Sequence, residues 1–137
     1  MARLHDSNKL GSFPDREEFQ VGQVIVWVKI PPHGNRATWL ERANSIFEQV
    51  WPSIPAVISA AELVSRTLVP EFWKAYDQAG AADNPLSVQG IWIDSASGSA
   101  DYEVSRNHDF DRASLPELPD DHSIMVSRDP NGGVRAR

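Results

Sequence analysis

A chain of 137 residues, 41% apolar and 23% charged, has the make-up of a globular domain, long enough to bury about two-thirds of its unfolded surface. Its formal charge of −6 disfavours nonspecific nucleic-acid binding, which depends on Lys and Arg neutralising phosphates, but speeds encounter with a basic partner. The absence of cysteine excludes a disulfide frame, a thiolate metal site and a thiol nucleophile.

No apolar run approaches the ~20 residues of a membrane helix, and the opening MARLHDSNKLGSF lacks the apolar segment of a signal peptide. A cytoplasmic protein without membrane contact is expected. Residues 1–17 are polar and contain Gly11 and Pro14, which predicts an irregular arm ahead of a single domain over 18–137.

The stretch VGQVIVWVKI places Val24, Val26, Val28 and Ile30 on one strand face and Ile25 and Trp27 on the other. Apolar residues on both faces predict a central strand covered on two sides, at least in part. Gly22 marks either a bend in one strand over 17–30 or a tight hairpin, and Pro31-Pro32 end the element.

Trp39, Ala43, Ile46, Phe47 and Val50 recur at helical spacing, with Thr38 and Glu41 forming a capping-box pattern and Asn35 the alternative cap. Pro52 ends this helix. A second helix from about 55 to 68 uses Ile54, Val57, Ile58, Ala61, Val64 and Leu68 as its stripe. Pro70 opens a short third one with Phe72, Trp73 and Tyr76 on an aromatic side.

Strands follow at 86–93 (LSVQGIWI), 100–105 (ADYEVS), HSIMVS and the terminal VRAR, with DPNGG closing the last hairpin through Pro130 and Gly132. The predicted fold is a single α+β domain. Its antiparallel sheet has two to three helices inserted between the first strand and the C-terminal strands, packed mainly on one face.

The richest polar spots are HDFD and DDH, where His108, Asp109, Asp111, Asp121 and His122 could serve a small metal-dependent hydrolase. Their spacing matches neither the helical HExxH of zinc hydrolases nor the twelve-residue calcium loop. A polar connection holds Asp and His simply to stay solvated. On a strand, Asp121 and His122 would point to opposite faces. There is no GxSxG elbow and no Gly-Lys phosphate loop. No catalytic residue, metal or cofactor is therefore expected, and a ligand-binding module with a pocket between helices and sheet remains the other alternative.

Among five tryptophans, Trp39 and Trp73 read as core, whereas Trp27, Trp51 and Trp92 are unsettled. Should Trp92 face outward beside Tyr102, the pair would make an aromatic patch suited to a protein interface.

The order of features carries a resemblance. LGSF precedes a strand with Trp27, a helix around Trp39, a segment with Trp73, the strand LSVQGIWI, and a close on DDHSIMVSRDPNGGV. From about residue 10 to residue 136 this resembles small bacterial domains of unknown function that end in a "GHxIxV…dG" hairpin and are often encoded beside toxins. Asp121 stands where that pattern commonly has glycine. The resemblance implies that the histidine begins a strand, that Ile124 and Val126 pack inward, and that Gly132 or Gly133 turns the chain. It also implies an immunity protein, which binds and neutralises a cognate toxin rather than catalysing a reaction.

Such a protein meeting a basic toxin or effector domain should present carboxylates around an aromatic centre. The expected contact residues are Trp92, Asp94, Asp101, Tyr102, Glu103, Asp109, Phe110, Asp111, Asp120 and Asp121, with the helices serving as core.

Overall fold

The computed structural model describes residues 4, 7–68, 70, 71, 73, 74, 86–106 and 123–136. Seven strands form one sheet in sequence order: β1 (Asn8–Ser12), β2 (Arg16–Val21), β3 (Val24–Lys29), β4 (Leu86–Asp94), β5 (Ala100–Arg106), β6 (Ile124–Arg128) and β7 (Val134–Ala136). Helices α1 (Arg36–Val50) and α2 (Ile54–Leu68), joined by a 3-10 turn at Trp51–Ser53, lie between β3 and β4.

The α+β class stands, but the sheet is mixed rather than antiparallel. All neighbours pair antiparallel except β3 and β4, which run parallel. The cause is the helical crossover, which carries the chain back so that β4 enters in the same direction as β3.

Gly22, at φ +62°, makes β2 and β3 a tight hairpin, not one bent strand. The irregular arm expected over 1–17 is in part an edge strand, because β1 pairs with β2. Its inward side chains are polar: Ser12 hydrogen-bonds Glu17 and Lys9 ion-pairs with it, so apolar alternation carried no signal there. The register shifts around Leu10, a bulge that blunts an otherwise open edge.

Asn35 caps α1, its Oδ1 accepting from the Ala37 and Thr38 amides at 2.8 and 3.4 Å; the Thr38–Glu41 pattern is not the cap. Ala43, Phe47 and Val50 are buried as expected, whereas Trp39 is only partly buried, its indole N–H donating to the His33 carbonyl at 2.7 Å. In α2 the buried line is Val57, Ala61 and Ser65, and Leu68 in the last turn is exposed. Of the expected third helix, Pro70, Glu71, Trp73 and Lys74 are helical and Trp73 is buried, while Phe72 and Tyr76 lie outside the described residues. No described helix is long and apolar enough to cross a membrane.

Strand β4 decides which side chains face which way. Leu86, Val88, Ile91 and Ile93 are all buried, although strict alternation would put the first two and the last two on opposite faces. The register slips between Val88 and Gly90, with Gln89 as the extra residue, and this bulge restores all four to the helix side. There they meet Val26, Val28, Tyr102, Val104, Ile124 and Val126 beneath Phe47, Val50 and Val57. Burying each large aliphatic side chain contributes about 1.5–3 kcal/mol. The same phase change turns Gly90, Trp92 and Asp94 onto the opposite face, which no described helix covers.

Candidate functional site on the open sheet face

In the parallel β3–β4 pair Trp27 stands opposite Trp92, and their indoles stack with centroids 4.4 Å apart and planes 14° apart. That separation is the sheet's own strand spacing of about 4.8 Å, expressed at the side chains. The stack needs Gly90: a Cβ there would lie 2.6 Å from Cζ3 of Trp27. Trp27 is half-buried by this arrangement and Trp92 remains 37% exposed.

Around the stack runs a charged rim. β2 contributes Arg16 and Glu18, β3 Lys29, β4 Asp94, and β5 Asp101 and Glu103, all in the register that faces away from the helices. The indoles, Asp15, Arg16, Glu18, Lys29, Asp94 and Asp101 line a cleft of about 480 Å³. This lies within the roughly 300–1,000 Å³ of ordinary ligand clefts.

Several rim groups are held in place. Arg16 Nε donates to Glu18 at 3.0 Å and Nη1 to Asp15 at 3.2 Å, and the Glu18 hydrogen bond leads in raising the guanidinium pKa above its usual value. Asp94 Oδ1 accepts from the Ala96 and Ser97 amides at 2.9 and 3.2 Å, fixing the β4–β5 turn. Ser95, buried in that turn, donates to the Lys29 carbonyl at 2.6 Å and ties β3 to it. Asp101 accepts from Ser127 at 2.6 Å. Asp94 and Asp101 are thus held by backbone and hydroxyl donors.

Of the expected contact residues, Trp92, Asp94, Asp101 and Glu103 share this face. Tyr102 does not. Strand parity turns it inward, where it is fully buried and donates to the Val50 carbonyl at 2.9 Å; burial pushes its pKa up to about 12. The pairing of Trp92 with Tyr102 as an outward patch is therefore corrected: Trp92's aromatic partner is Trp27. Asp109, Phe110, Asp111, Asp120 and Asp121 lie outside the described residues, as do His108 and His122. Among the described residues no group of three or more His, Asp or Glu is placed to hold a metal.

Sequence reasoning missed Asp15, Arg16, Glu18, Lys29 and the part played by Trp27. That Trp27 lies on the face opposite Val26 and Val28 was legible, but which face is open and which side chain stands beside it depend on the parallel pairing. Gly90 inside a strand was the available signal, since such a glycine often marks close approach by another group.

A second polar cluster lies on the helix side. Glu17, 2% exposed, accepts from Ser12 at 3.0 Å and from Arg36 Nε at 3.1 Å, and its Oε2 lies 3.2 Å from Lys9 Nζ as an ion pair without hydrogen-bond geometry. Arg36 also donates to the carbonyls of Phe13, Pro14 and Arg16. Burial alone would raise the Glu17 pKa; the hydrogen bonds from Ser12 and Arg36 and the charge of Lys9 outweigh it and hold the carboxyl below its usual value. Every partner is internal, so this cluster staples the β1–β2 turn to α1.

No protein-family model, curated protein or solved structure compared with this chain matches it.

Proposed function

We propose that this chain is a cytoplasmic partner-binding protein of the immunity type, which docks a toxin or effector domain on the open face of its sheet. The observation that carries the reading is the Trp27–Trp92 stack, an exposed aromatic centre on the face the helices leave bare. Interface energy concentrates in such anchors, with Trp foremost, while surrounding polar groups exclude water and set orientation. The acidic rim supplies the second half of the logic. Carboxylates accelerate encounter with a basic surface and reject acidic ones.

Capture from the source cell, followed by mass spectrometry, tests this with three baits: the wild-type chain, Trp92→Ala, and Leu63→Ser on the exposed side of α2. The expected result is one protein retained by wild type and Leu63→Ser and lost with Trp92→Ala. That protein, expressed alone, should be toxic, and co-expression of the wild-type chain should relieve the toxicity. Retention by Trp92→Ala equal to wild type, or toxicity that the chain does not relieve, overturns the proposal.

A further inference from the structure

Independently of the docking reading, we propose that the cleft beside the Trp27–Trp92 stack is a saccharide site. It seats a neutral hexopyranose ring flat on the Trp92 indole, with two neighbouring hydroxyls held between Lys29 and Asp94. The cleft, about 480 Å³, is lined by both indoles and by both of these charged side chains. Trp27 covers one face of the Trp92 ring at 4.4 Å, so the 37% of Trp92 left exposed comes from its other face and its edge.

The indole selects a ring with an apolar side. An aromatic face is electronegative, and it takes the C–H side of a sugar ring, which is apolar and weakly positive. Lys29 and Asp94 select the hydroxyls. They stand opposite each other in register, two residues along from the tryptophan pair on the same sheet face, about 6.6 Å away by strand rise. Opposite charges so placed commonly join. These two do not: the Ala96 and Ser97 amides hold Asp94 Oδ1 at 2.9 and 3.2 Å, and among the described residues Lys29 Nζ has no hydrogen-bond or ion-pair partner. An ammonium only donates and a carboxylate only accepts, whereas a hydroxyl does both. One hydroxyl of a vicinal diol therefore accepts from Lys29 while its neighbour donates to Asp94, both bonds charge-assisted. The described lining carries both signs of charge, Arg16 and Lys29 with Asp15, Glu18 and Asp94. A charged ligand meets like charge there whatever its sign, and a neutral polyol meets none.

Titration of the full chain with the methyl glycosides of β-D-glucose, β-D-galactose and α-D-mannose, followed by the indole N–H signals in NMR, tests the proposal. Trp27→Phe and Trp92→Phe assign the two signals. Glycerol, which has the hydroxyls without the ring, and cyclohexanol, which has the ring without the diol, provide the comparison. The expected result is saturable shifts of the Trp27 and Trp92 signals with at least one glycoside, and binding about ten-fold weaker or worse for both comparison compounds. Lys29→Met, which keeps the apolar stem on an exposed side chain, should weaken the glycoside several-fold without moving the thermal midpoint. Asp94→Asn, which keeps the Oδ1 that the turn amides use, should do the same, and Trp92→Ala should abolish binding. No saturable shift with any of the three glycosides, glycerol or cyclohexanol binding as tightly, shifts confined to other indoles, or affinity indifferent to both Lys29→Met and Asp94→Asn overturns the proposal. If no glycoside binds while Trp92→Ala still releases the captured protein, the saccharide site falls and the docking reading stands. If a glycoside binds as expected while capture ignores Trp92, the docking reading falls and the saccharide site stands.

Discussion

Trp27 and Trp92 face each other in register across the parallel β3–β4 pair, and the absence of a side chain at Gly90 is what lets their rings stack. Gly90→Ala should therefore displace the Trp27 indole, because the added methyl would lie 2.6 Å from its Cζ3. The expected cost is about 1–3 kcal/mol of overpacking. It should come with loss of the near-ultraviolet circular dichroism of the stacked pair and weaker partner binding. An unchanged spectrum would mean that the ring yields without unstacking.

Tyr102 belongs to the core, and its titration should show it. The folded-state pKa of about 12 exceeds the ordinary value of 10.0, chiefly through burial. The unfolded chain therefore loses this proton first as pH rises. Stability present below pH 10 should decline between pH 10 and 12, by at most about 3 kcal/mol. Denaturant midpoints across that range measure the slope. Tyr102→Phe should flatten this alkaline limb, cost about 1–2 kcal/mol at neutral pH for the hydrogen bond to Val50, and leave partner affinity as it was.

Much of the fold could be read from the chain, and the failures have physical causes. The helical stripe through Ala43, Phe47 and Val50 and the DPNGG hairpin are local patterns that form as expected, and of the two alternatives open at Gly22 the hairpin is the one that forms. In that hairpin Asp129 Oδ1 accepts from the Asn131 and Gly133 amides, and Gly132 sits at φ +94°. The parallel pairing of β3 with β4 is a long-range choice that no local pattern encodes. That Trp92 faces away from Ile91 and Ile93 was readable; which side of the sheet it takes, and its partner, were not. Tyr102 was mistaken for a surface residue because an acidic neighbourhood in sequence, Asp101 and Glu103, says nothing about the alternate face of a strand. Strand β1 stayed hidden because Lys9 and Ser12 point inward to a buried carboxylate where apolar side chains would have announced a strand.

That buried carboxylate sets the acid behaviour. The Glu17 pKa is lowered below its ordinary 4.5, so the unfolded chain takes up this proton first as pH falls. Its contribution is present above pH 4.5 and is lost as pH drops through the lowered value. Thermal midpoints from pH 6 downward should fall less steeply in Glu17→Gln than in wild type. Arg36→Met, which strips three carbonyls and Glu17 of their donor, should cost about 2–3 kcal/mol, below the ~3–5 of a fully broken buried pair because Lys9 remains.

Two of the helix-side tryptophans, Trp39 and Trp73, should separate on truncation. Trp39 is half-buried and holds one hydrogen bond, to His33, so Trp39→Ala should cost about 1–2 kcal/mol. Trp73 is buried, donates to Ser65 at 2.8 Å and carries Arg66 over its ring, so Trp73→Ala should approach the ~3–5 kcal/mol of a buried aromatic. Urea midpoints at constant slope give both values. Equal losses would place Trp39 in the core after all.

The most direct test of the docking surface is calorimetric affinity for the captured partner with wild type, Trp92→Ala and Leu63→Ser, each first shown to unfold cooperatively. The expected result is a loss of at least ~2 kcal/mol on binding for Trp92→Ala, the mark of a hot spot, with Leu63→Ser equal to wild type. Affinity unchanged in Trp92→Ala and lost in Leu63→Ser would move the contact to α2 and contradict the open sheet face as the binding surface.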